Sequence, residues 1–128
     1  MAAVKYDFRV EAGSGLTIVF AQTDLSTAPV PFEEGTTAEF QARVTPRAPE
    51  AIVQLTETPG DPDHGTIVVD EEEGTVTLHL TDEGTRLFDS PNFDSAVYAI
   101  EIYEPGKDTR RLAEGRITCS PEIVRPAE

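Results

Sequence analysis

The chain has 128 residues, with 24 acidic and 10 basic side chains and a formal net charge of −14. That length suits one domain with a two-layer core and not two independent ones. So acidic a chain repels nucleic-acid phosphates and anionic lipid surfaces, which excludes both as expected partners.

Val4 to Val10 opens with a period of two, Val4, Tyr6, Phe8 and Val10 against Lys5, Asp7 and Arg9, which predicts a half-buried strand with the first set inward. Glu11 to Gly15 reads as a turn, with Gly13 and Gly15 supplying permissive backbone. Leu16 to Gln22 resumes the strand pattern, with Leu16, Ile18 and Phe20 on one side. Thr23 to Gly35, broken by Pro29 and Pro31, reads as a loop whose Val30 and Phe32 fold back to close one end of the core.

Thr36 to Val44 is a third strand with Ala38, Phe40, Ala42 and Val44 inward. Ala51 to Glu57 is a short one built on Ile52, Val53 and Leu55. After a long acidic turn, Thr58 to Gly65, come Thr66 to Val69 and Thr75 to Leu80. The charged, Gly-containing turn between them, Asp70 to Gly74, predicts a hairpin. Thr81 is placed to cap one helical turn, with Asp82 and Glu83 at its start and Leu87 and Phe88 as packing residues.

The best-patterned stretch is the last. Tyr98, Ile100 and Ile102 share one strand face, Glu104 to Asp108 reverses the chain at Pro105 and Gly106, and Thr109 to Cys119 returns. Leu112 and Ile117 are its expected core contacts, and Gly115 is expected to mark a bulge or bend. Short strands at regular spacing with turn signals between them predict an all-β sandwich with one short helical turn. The expected organisation is a sandwich over residues 1–119 and an extended arm over 120–128, since Pro121 cannot donate to a ladder.

No run approaches the ~18 apolar residues of a membrane span. The first ten residues lack the apolar core of a secretory signal, and one cysteine excludes an internal disulfide. The expectation is synthesis in a reducing cytoplasm. Catalytic chemistry has little to start from. Cys119 has only His64 and His79 as possible partners, and nothing local brings them together. The acidic turns around Asp61, Asp63 and Asp70 to Glu73 read as solvated charge: DPDHG holds a proline where an EF-hand loop would not, and the bidentate glutamate is missing. No Walker loop and no GxGxxG are present. The sequence therefore predicts no enzyme, no cofactor and no metal.

What remains is binding. Half of the basic side chains come late, as Lys107, Arg110, Arg111, Arg116 and Arg125, beside an exit containing Pro121, Ile123, Val124 and Pro126. Arg110, Arg111, Arg116, Pro121, Ile123, Val124 and Arg125 are the expected partner-binding residues, with the exit docking on a neighbour as an added strand or arm.

Four segments, YDFRVEAGSGLTI, PVPFEEGTTAEFQARVTP, GTVTLHLT and VYAIEIY…TRRLAEGRITCSPEIVR, together resemble a family of small tailed-phage structural proteins encoded among tail, baseplate and fibre genes. The family is similar to the immunoglobulin-like N-terminal domain of phage upper-baseplate proteins. The resemblance spans nearly the whole chain, and its last segment is the most specific. It implies an immunoglobulin-like antiparallel β-sandwich. The implied role is a virion component, made in the host cytoplasm, that joins a fibre or neighbouring subunit to tail, baseplate or neck. Its partners would be other phage structural proteins and copies of itself in a symmetric assembly. A capsid decoration or collar protein is the alternative, and a carbohydrate-binding sandwich a more distant one, since the chain has no Trp. Two departures stand out: the loop Thr58 to Gly65 is longer and more acidic than the family pattern, and Cys119 takes a position usually aliphatic.

Overall fold

A computed structural model of the chain describes residues 4–21, 30–57, 64–90 and 93–120. In chain order it contains β1 (Val4–Lys5), β2 (Phe8–Glu11), β3 (Leu16–Ala21), β4 (Thr37–Arg43), β5 (Val53–Thr56), β6 (Gly65–Asp70), β7 (Thr75–Leu80), α1 (Asp82–Arg86), β8 (Ser95–Tyr103) and β9 (Arg110–Ser120). One sheet runs β1-β9-β8-β4-β5, with β2 also on β9, and a three-stranded sheet runs β3-β7-β6. The inward residues of both form one core, with Phe40, Leu55, Leu78, Leu80, Ile100 and Ile117 among its most buried members.

Local chemistry explains most of the elements. In β7 and β8 alternate residues are buried along the whole strand, as the period of two requires. β6 and β7 form the expected hairpin around the acidic turn, where Gly74 holds a φ of 65°. Thr81 caps α1, its hydroxyl accepting from the Gly84 N–H at 3.1 Å. Phe32 is buried as expected, and its N–H donates to the Glu71 carbonyl at 2.9 Å. Five rings, Tyr6, Phe8, Phe20, Tyr98 and Phe40, make successive contacts through the core at centroid distances of 5.0–6.3 Å.

Several expectations need correction. The sandwich is not wholly antiparallel: β1 and β2 run parallel to β9, with Val4 opposite Ala113 and Phe8 opposite Ile117. Parallel pairing needs a long connection, and the residues paired here lie more than a hundred positions apart in sequence. The first strand is broken at Tyr6 and Asp7, so it is two short pieces. Val4 and Tyr6 were expected inward but are exposed, because they lie at the open side of the sandwich. Val44 is exposed as well, since β4 ends one residue before it.

The irregularity in β9 lies at Leu112, not at Gly115. Ile100 pairs with Ala113 and Glu101 with Arg111, so Leu112 is the extra residue of a bulge. Leu112 and Ala113 are consequently both buried. Gly115 has a different reason. A Cβ there would lie 2.1 Å from the Tyr6 carbonyl oxygen and 2.9 Å from Asp7 Oδ1. The absence of a side chain lets the break in the first strand sit against β9. Tyr6 N–H donates to the Glu114 carbonyl at 2.9 Å, the Tyr98 hydroxyl donates to the Tyr6 carbonyl at 2.6 Å, and Arg116 N–H donates to Asp7 Oδ1 at 2.8 Å. Gly115→Ala is expected to push this segment outward and cost about 1–3 kcal/mol, the usual range for forced overpacking. Hydrogen exchange at the Tyr6 and Arg116 amides should accelerate more than at Ile100, which checks that the damage is local.

The expected arm begins within the sheet: Ser120 is the last rung of β9, opposite Glu11, and its carbonyl accepts from Ala12 N–H at 3.0 Å. Pro121, Ile123, Val124 and Arg125 lie outside the described residues, as do positions 58–63 of the long acidic turn.

Candidate functional site

The late basic side chains do not form one surface. Arg110 lies opposite Ile102, on the core side of the sheet end. There its Nη2 sits 2.8 Å from Oε1 of Glu104, whose side chain is only 4% exposed. Oε2 of the same carboxylate accepts the Glu33 N–H at 3.1 Å, and Lys107 Nζ stands 3.9 Å away. Lys107 Nζ also lies 3.4 Å from Glu33 Oε1. Arg110 and Lys107 thus help tie the turn after β8 to the segment before β4. Sequence reasoning put Glu104 in a turn and missed its burial.

Arg111 and Arg116 do share a place. They line an open groove of about 570 Å³ on the outer face of β4, β8 and β9. Lys5 and Arg43 join them, but Asp7, Glu39, Glu101 and Glu114 are interleaved. Arg111 Nη1 is 3.5 Å from Glu114 Oε1, and Arg116 Nη1 donates to the Ser95 hydroxyl at 2.8 Å. Arg43 donates to the Ala48 carbonyl and to Gln41 Oε1. This face mixes opposite charges: Arg43 and Arg116 are held by neutral polar groups, and the exposed Arg111–Glu114 pair contributes little.

A second surface is apolar. Beside β3, an open groove of about 280 Å³ is lined by Val4, Tyr6, Ile18, Val19, Phe20 and Ala21, with Leu112 at its floor. Val19 is 59% exposed. Across the outer face of the small sheet, Val19 stands opposite Thr77, and Thr77 opposite Val68, itself 57% exposed. The nine outward positions of this sheet are Thr17, Val19 and Ala21, then Thr75, Thr77 and His79, then Thr66, Val68 and Asp70, with Asp70 the only carboxylate. The signal for it was in the sequence, because LTIVFA carries no charge, but the pattern alone could not say which neighbour the strand would lack.

His79 lies on that outer face with its Nδ1 2.9 Å from the Thr17 hydroxyl, and His64 ends the acidic turn, its carbonyl accepting from Thr81 N–H at 3.0 Å. Cys119 is half-buried, and its thiol is pushed up by burial and by Asp89, against a smaller pull down from hydrogen bonding at Ala12 and from Arg9. Among the described residues no group of three or more His, Cys, Asp or Glu is placed to hold a metal ion.

Tyr98 is held well above the usual phenol range, first by burial and then by Asp7, Tyr6 and Glu114. A raised folded value means stability is fully present below the unfolded tyrosine pKa of about 10 and is lost as pH rises beyond it. Alkaline titration should therefore lower stability progressively above about pH 10, and Tyr98→Phe should blunt that loss relative to the parent. Intrinsic fluorescence and circular dichroism against pH check this.

No protein-family model matches this sequence, and a search of curated proteins finds no match.

Proposed function

We propose that this chain is an assembly module that works by binding and not by chemistry: a virion structural protein that joins a fibre or neighbouring subunit to a phage tail, baseplate or neck. The observation that carries the reading is the uncharged β3 edge with its apolar groove, in a chain of net charge −14. Such a chain keeps its copies apart through most of its surface, so a bare apolar region marks where contact is made.

The resemblance to small tailed-phage structural proteins supplies the setting. The strand order supports its immunoglobulin-like part. β3-β7-β6 has the order of the B, E and D strands of that fold, and β5-β4-β8-β9 that of its C′, C, F and G strands. The first strand departs from the constant-type pattern by joining β9 instead of β3.

Cosedimentation of the purified chain with phage particles lacking it tests the reading. Saturable binding at a fixed copy number per particle is expected. Removal of residues 121–128 is expected to abolish incorporation while leaving cooperative melting intact. Failure to sediment with any particle fraction would overturn the assembly role.

A further inference from the structure

We infer that the free edge of β3 pairs with the same edge of a second copy, joining two three-stranded sheets into one across a two-fold axis. This rests on the assembly reading and names the partner at that surface.

The choice of edge follows from comparing four. The β1/β2 edge is short, broken at Tyr6 and Asp7, and carries Lys5, Asp7, Arg9 and Glu11. β5 offers four residues. β6 runs directly into the acidic turn Asp70 to Glu73. These are the ordinary protections of an edge: short length, interruption and charge. β3 has none of them. Its six residues, LTIVFA, hold no charge and no proline, and all six pair in unbroken register with β7. On the other side β3 has no partner strand among the described residues, because β1 and β2 went to β9. That departure also opens the groove between β3 and Val4 and Tyr6.

The second copy is favoured by charge and by symmetry. Two bodies of −14 each are least opposed where neither carries charge, and the β3 edge is such a place. An antiparallel strand edge is complementary to itself, since a two-fold axis sets each donor row against the matching acceptor row. The exposed Val4 and Tyr6 then gain cover from the neighbouring copy.

The test uses the full chain in sedimentation velocity over a wide concentration range, with two variants of equal charge. Val19→Lys blocks the β3 edge, and Val68→Lys does the same at the β6 edge, opposite the same Thr77. Both sites are exposed, so both variants are expected to melt like the parent. The expected result is a parent dimer of twice the 13.9 kDa chain mass. Val19→Lys should weaken it by tenfold or more although it lowers the net repulsion, and Val68→Lys should not. Added salt should strengthen the dimer, since screening removes repulsion without touching a neutral interface. A monomeric parent, equal loss in both variants, loss in Val68→Lys alone, or a dimer weakened by salt would overturn the inference. A monomeric parent that still cosediments with particles would sink the self-pairing and leave the assembly role standing.

Discussion

Ile100→Ala is expected to lower the unfolding free energy by about 2–5 kcal/mol, as large-to-small changes at fully buried aliphatic positions do. Ile100 is 0% exposed in the middle of β8, opposite Phe40 on one side and Ala113 on the other. Its neighbours are held by two ladders, so the sheet is poorly able to collapse into the space left behind. The cost therefore belongs toward the upper part of that range. Ala99, the next residue along, lies on the outer face of the same strand and serves as the control: Ala99→Ser should move the urea midpoint little. An unchanged midpoint for Ile100→Ala, with the same m-value, would show that β8 buries its other face.

Arg110→Ala is expected to be about as damaging, roughly 3–5 kcal/mol, because it strands the Glu104 carboxylate in a site that is 4% exposed. The Arg110 side chain is itself 33% exposed, and Lys107 Nζ at 3.9 Å supplies some compensation, so the lower end of that range applies. The informative variant is the double replacement of Arg110 by Met and Glu104 by Leu. Removing both charges should recover most of the loss, since the burden is the unpaired carboxylate and not the missing attraction. Recovery is expected to be incomplete, because the Glu33 N–H then loses its acceptor. A double variant as unstable as Arg110→Ala would assign the loss to packing of the arginine stem instead. A single variant as stable as the parent would make the pair a surface feature.

Much of this fold was legible in the sequence because its signals are local. The alternation of Tyr98, Ile100 and Ile102 fixes a strand and its buried face whatever lies beside it. Thr81 with Asp82 and Glu83 marks a helix start, and the Asp70 to Gly74 turn closes its own hairpin. Each of these depends on residues a few positions apart. The same holds for the uncharged run in β3 and for the late cluster of arginines, which are visible as composition.

Tertiary structure alone decided where those features ended up. Alternation says which face of a strand is apolar but not which strand will lie alongside, so nothing local announced that Val4–Lys5 and Phe8–Glu11 would run parallel to β9. That long-range choice exposed Tyr6, made Gly115 a point of backbone contact and left the β3 edge without a partner strand among the described residues. The register shift at Leu112 likewise decided which of the neighbours Arg110 and Arg111 turned inward toward Glu104 and which took the outer face. A strand's side-chain period is two, so one extra residue reverses every assignment beyond it, and only the pairing partner determines where that residue is accommodated.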